Sequence, residues 1–173
     1  MLKKMLGISA LALLSVSILI GCGSENVDED RFSDVEVELI VENVTVMHRE
    51  DMLVRDRGIH GVDMMLGEQR FVNINPSGME LDEITLEIAE AIAIGMDLDD
   101  TTELERIRVN HQDAFLMEGS MEIDGDDYRI AVVMFVANGY LYSMSYVAPV
   151  DLFETYYPFF IEIRDSIGEV DVE

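Results

Sequence analysis

The chain contains one cysteine, Cys22, in 173 residues, so no internal disulfide can form. A domain of this composition rests on its core alone. Basic residues are scarce too: 11 Lys and Arg stand against 36 Asp and Glu, for a formal charge of −25. Such a field repels phosphate backbones and anionic lipid surfaces, which argues against nucleic acid and favours basic proteins and cations as partners. The plainest role of the charge is solubility, since an acidic surface stays hydrated in salty or alkaline surroundings. No internal repeat, low-complexity tract, nucleotide fingerprint or nucleophile elbow is visible. Nucleophilic catalysis needs a nucleophile beside a base that a third group orients. The chain offers His48, His60 and His111 as bases, but its serines fall mainly in strands or caps. With 36 acids, carboxylate pairs arise by chance and signal no acid–base chemistry. We therefore expect no catalytic residue, and not an enzyme.

What the chain does have begins with Lys3 and Lys4, followed by an apolar run from Met5 to Ile20 broken only by Gly7, Ser9, Ser15 and Ser17. A basic start, an apolar middle and a small residue before the cut describe a secretory signal. Leu19-Ile20-Gly21-Cys22 resembles the lipobox of bacterial lipoproteins, whose peptidase cuts before a cysteine carrying a diacylglyceryl group on its sulfur. The resemblance implies lipidation of Cys22, a signal peptide over residues 1–21, and a membrane-anchored protein on the extracytoplasmic face. Two or more acyl chains make such an anchor durable, because each buried CH2 contributes roughly 0.8 kcal/mol. The alternatives are an uncleaved anchor, which the run is short for, since a span needs ~20 apolar residues, and ordinary secretion. Leu19 stands where an ordinary signal site wants a small residue. Cutting before Cys22 removes Lys3 and Lys4, takes the charge from −25 to −27, and leaves 152 of 173 residues. That length suits one globular domain.

Residues 22–34 are polar and acidic and read as a flexible tether. The domain is expected over residues 35–168, with an acidic, fraying tail at 169–173. Val35, Val37, Leu39 and Val41 alternate with Glu36 and Glu38 as in a half-buried strand, and a shift at Asn43 carries the pattern on through Val44 and Val46. Arg49 to Gly67 lack a clear period and read as mostly loop with one possible short strand. Arg70 to Ile74 read as a strand ended by Asn75-Pro76. Ser77 and Glu80 have the spacing of a reciprocal helix cap. The helix predicted from there runs to about Met96, with Leu81, Ile84, Ile88, Ala91 and Ile92 inward and Glu80, Glu83, Glu87 and Glu90 in water. From Glu105 to Pro149 the period is two. Asp124-Gly125 supplies a turn, Tyr128 to Ala137 an apolar strand, Asn138-Gly139 a hairpin turn, and Tyr140 to Val147 a third strand. This half reads as an antiparallel meander whose middle strand is buried on both faces. Val150 to Ile167 carries a broad apolar stripe. Pro158 predicts a kink there, or a helix starting near Tyr157, and Gly168 a stop.

Two acidic clusters offer hard oxygen ligands of the calcium type: Asp97, Asp99 and Asp100, and Asp124, Asp126 and Asp127 around Gly125. Neither has the spacing of an EF-hand loop, and a hairpin turn accounts for the second. Met47, His48, Met52, His60, Met64 and Met65 are a soft-ligand set without fixed spacing, which reads as core methionines and solvated histidines rather than a copper site. No metal site and no cofactor is expected, and calcium binding by the acidic loops stays the alternative.

The succession of strand, helix, three-stranded meander and closing aromatic helix over residues 68–168 resembles the PsbP-like family. That family includes an extrinsic photosystem subunit and many small bacterial lipoproteins. The parts that carry the resemblance are Phe71 to Pro76, Gly139-Tyr140-Leu141-Tyr142, and the closing stretch Phe153, Tyr156, Tyr157, Phe159 and Phe160 with Ser166-Ile167 at its end. It implies an α+β fold, an antiparallel sheet packed by two helices, and a non-catalytic binding or assembly role with a protein partner in the cell envelope. Residues 35–67 fall outside it, and no family site maps onto particular residues. An envelope hydrolase is the remaining class, and it needs a deep cleft in which carboxylates or histidines converge.

Overall fold

The computed structural model describes residues 35–58, 61–65 and 71–170. Residues 1–34, with Cys22 and the expected tether, lie outside these, as do His60 and residues 171–173. The described elements run β1 (Glu36–Val41), β2 (Val44–Arg49), β3 (Leu53–Asp56), β4 (Val62–Met65), β5 (Phe71–Glu80), α1 (Leu86–Ile94), β6 (Glu105–Val109), β7 (Gln112–Ile123), β8 (Asp126–Ala137), β9 (Tyr140–Pro149), α2 (Phe153–Asp165) and β10 (Gly168–Glu169). They build a seven-stranded sheet in the order β3-β4-β5-β9-β8-β7-β6 and a three-stranded sheet in the order β1-β2-β10. Every pairing between named strands is antiparallel.

The expected meander forms the middle of the large sheet. Asn138 and Gly139 both have positive φ, 49° and 78°, and they bring Ala137 opposite Tyr140. That register sends alternate residues of β8 to opposite faces. Ala131, Val133 and Phe135 join Tyr142, Met144 and Tyr146 in a core beneath α2, while Ile130, Val132, Met134 and Val136 join Leu141 and Val147 in a second core on the side of α1. β8 is therefore buried on both faces from Ile130 onward.

Several local expectations give way to tertiary pairing. Ser77 does not cap a helix: its hydroxyl donates to the Leu141 carbonyl at 2.8 Å and accepts from Met79 N–H at 3.1 Å. β9 offers β5 a partner past Pro76, and the strand continues to Glu80 across a bulge at residues 76–80. The helix is capped instead by Thr85, whose Oγ1 accepts from Ile88 N–H at 3.4 Å, and it ends at Ile94. The stretch read as mostly loop with one possible short strand holds two strands, β3 and β4, which extend the sheet beyond β5. Asn110 and His111, with φ of 48° and 66°, turn β6 into β7, a hairpin hidden because His111 is not a turn-forming residue type. α2 runs unbroken from Phe153 through Pro158, starting a full turn before the alternative placed at Tyr157. Gly168 opens β10 rather than ending the helix, and Glu169 pairs with Val44 instead of fraying. A Cβ on Gly168 would stand 2.7 Å from Thr45 Oγ1, so a larger residue there requires the Thr45 hydroxyl to turn away.

Gly61, ahead of β4, has a φ of +81°, and a Cβ there would meet the Ile74 carbonyl oxygen at 1.8 Å. Gly58 has a φ of +60° but open space around it. Gly61→Ala is expected to lower unfolding free energy by about 2–4 kcal/mol and Gly58→Ala by about 1 kcal/mol, as read from urea titrations. Equal losses would contradict the close approach of β4 to β5.

Candidate functional site

The two faces of the large sheet are covered very differently. On one, α2 presses Phe153, Tyr156, Phe160 and Ile163 into the core, each 2 % exposed or less. Tyr146 is the centre of this contact, with Phe153 at 4.9 Å and Phe160 at 5.8 Å between ring centroids, and its hydroxyl donates to the Phe153 carbonyl at 3.0 Å. Arg129 on β8 lies 4.1 Å over the Phe153 ring and bridges Glu118 at 2.7 Å and Glu154 at 2.5 Å. The far end of α2 is held to the small sheet, where Met47 N–H donates to Ser166 Oγ at 2.8 Å and Arg49 meets Glu162 at 2.7 Å. This face is closed by aromatic packing and charge-assisted bonds.

On the other face α1 lies over β7 and β8 and buries only Ala89 completely. Its sequence, LEIAEAIAI, is apolar nearly all round, so burying one side leaves aliphatic residues on the other. Ile94 is 84 % exposed and Leu86 49 %. Between α1 and the segment 97–104 runs an open cleft of about 670 Å³, with Leu86, Ile94, Leu98, Leu104 and Met117 as apolar wall and Glu90, Asp97 and Glu103 as acidic rim. Gly119 lets the loop lie close to β7: a Cβ there would stand 3.1 Å from the Asp99 carbonyl oxygen and 3.3 Å from Leu98 Cβ. Backbone bonds between Asp99 and Ser120 in both directions, and from Thr102 N–H to the Glu118 carbonyl, fasten the segment along β7. Toward β4 the same sheet face turns polar. Asp63 is 7 % exposed and is held by Asn73 at 2.8 Å and Arg57 at 3.4 Å, with Ser145 next in rank.

The residues singled out from sequence scatter. Asp97, Asp99 and Asp100 follow α1, all exposed, two of them at positive φ. Asp124 and Asp126 flank Gly125 in the β7–β8 turn, where Ile123 pairs with Asp126. Among the described residues no three histidine or carboxylate side chains stand together as metal ligands. Met52 and Met64 are in the core beneath α2, and His48 Nδ1 lies 2.8 Å from the Arg49 carbonyl on β2. His48 and His111 do not line the cleft, whose polar lining is carboxylates and threonines; the Thr102 hydroxyl accepts from Glu118 N–H at 3.0 Å.

Comparison with solved structures identifies the architecture. The solution structure of cyanobacterial PsbP, CyanoP, from Synechocystis sp. PCC 6803 matches 87 % of this chain and 98 % of its own, with a TM-score of 0.56 at 11 % identity. The fold is PsbP-like. The crystal structure of LpqN from Mycobacterium tuberculosis, described as involved in cell envelope biogenesis, matches 79 % of this chain and 91 % of its own, with a TM-score of 0.54 at 10 % identity. No protein-family model and no curated protein matches the sequence.

In this PsbP-like frame, Tyr157 of α2 joins the Arg129 cluster. Burial, together with the Glu118 carboxylate beside it, pushes the Tyr157 hydroxyl up to about 12. Burial raises Tyr128 and Tyr142 in the same direction. An unfolded phenol ionises near ~10, so above that pH the unfolded chain releases a proton the folded one keeps. The contribution to stability is whole below pH ~10 and declines through the window up to the folded value. Thermal melts of Tyr157→Phe should therefore fall less steeply across that window than those of the wild type. Parallel curves would mean Tyr157 titrates as a free phenol.

Proposed function

We propose that this chain is an extracytoplasmic lipoprotein, held to the membrane by acyl chains on Cys22, whose domain binds or supports a partner in the cell envelope without catalysing a reaction. The observation that carries the binding role is the cleft beside α1, open, with an apolar wall and an acidic rim. The PsbP-like fold it shares with LpqN, described as involved in cell envelope biogenesis, agrees with an envelope role, although a fold alone assigns no activity. None of the described helices is long and apolar enough to cross a membrane; attachment in this reading comes through the lipid. Residues 22–34 then serve as the tether and residues 35–168 as the domain.

In cells given radiolabelled palmitate, the wild-type protein should take up label and lose residues 1–21, and Cys22→Ala should do neither. Label in the alanine variant, or a native product that keeps residues 1–21, would reject the anchor.

A further inference from the structure

We propose that the cleft between α1 and the segment 97–104 receives a cationic amphipathic peptide segment, which sets apolar side chains on Leu86 and Ile94 and basic ones against Glu90, Asp97 and Glu103. This names the partner class for the binding role above and rests on that reading.

Leu86, Glu90 and Ile94 recur every four residues and line one face of α1, and Asp97 stands just beyond its end. Two large aliphatic groups in water on one helix face are an unmet demand for apolar contact. The charge around them is of one sign. From Glu80 to Leu104 the chain carries nine acidic residues and no basic one. The first cation beyond, Arg106, is already paired with Asp113 in the β6–β7 hairpin. The last turn of α1 has no basic residue, and Asp97, Asp99 and Asp100 follow it. The carbonyl end of a helix carries partial negative charge, so these aspartates add to a repulsion that nothing else in α1's last turn relieves.

A single occupant answers both demands. Anionic lipid or an acidic segment is refused by the field. A bare cation leaves Leu86 and Ile94 in water, and a small apolar ligand needs more enclosure than an open cleft gives. A peptide with apolar anchors at helical spacing and lysine or arginine between them buries the aliphatic groups and neutralises the rim.

The test titrates a synthetic Leu/Lys amphipathic helical peptide into full-length protein in non-ionic detergent, with heat into detergent alone subtracted. A Leu/Glu peptide of the same pattern and a Ser/Lys peptide of the same charge serve as comparisons. Ile94→Ser, and Glu90→Gln with Glu103→Gln, should each weaken Leu/Lys binding by roughly tenfold or more. Asp124→Asn with Asp126→Asn removes as much charge at the β7–β8 turn and should leave binding within about twofold. The Ser/Lys peptide should bind roughly tenfold more weakly, and the Leu/Glu peptide not at all. Absence of Leu/Lys binding, equal weakening by the turn pair, or equal binding of Ser/Lys would overturn the proposal. Lost binding with Cys22 still acylated rejects the cleft assignment alone; retained binding without acylation rejects the anchor alone.

Discussion

The structure depends on one strand having no side to spare. β8 carries apolar residues at consecutive positions from Ile130 to Ala137, so both faces of the sheet at its centre must be covered. The Asn138-Gly139 turn fixes which residue goes where. A slip of one position would exchange the Phe135 side for the Met134 side and mismatch both cores at once. With the register set, two coverings are required, and the chain supplies α1 before the meander and α2 after it.

The coverings differ in kind. α2 is locked by four core side chains, the Tyr146 hydroxyl, the Arg129 bridges and the Ser166 contact with β2. It joins the small sheet to the large one and leaves no aliphatic surface comparable to Ile94. α1 is short and nearly uniform in apolar character, and it is attached through one fully buried alanine and partly buried neighbours. A helix held that loosely beside an open cleft belongs to the less stable part of a fold, where binding surfaces are commonly drawn from. The fold thus separates a rigid closed face from an adaptable open one.

Much of this was legible in the sequence wherever a signal was local. The meander, its Asp124-Gly125 and Asn138-Gly139 turns, and the aromatic stripe of α2 follow from period and turn chemistry. The resemblance to PsbP-like proteins pointed to the architecture that the solved structures share. Where a local signal competed with a distant strand, the strand won. Ser77 and Glu80 have the spacing of a cap, yet the hydroxyl that could have capped bonds to Leu141 across the sheet, because β9 runs alongside. Of β3 and β4 only one possible short strand was legible, because Leu53–Asp56 and Val62–Met65 are four residues each, too short to display a period. The cleft went unread, although two signals for it stand in the sequence. Ile94 lies outside the inward stripe of α1, and Gly119 interrupts a strand where a close backbone approach was readable. Only the fold shows that the loop seated against Gly119 walls the space Ile94 faces.

The central claim is that the sheet is clamped firmly by α2 and lightly by α1. Native-state hydrogen exchange of the full-length protein tests it most directly. Amides of β8 and of α2 beyond its first turn should exchange only with global unfolding, while those from Ala89 to Ile94 exchange faster, through an opening that leaves β8 protected. Protection of α1 equal to that of β8 would contradict the account.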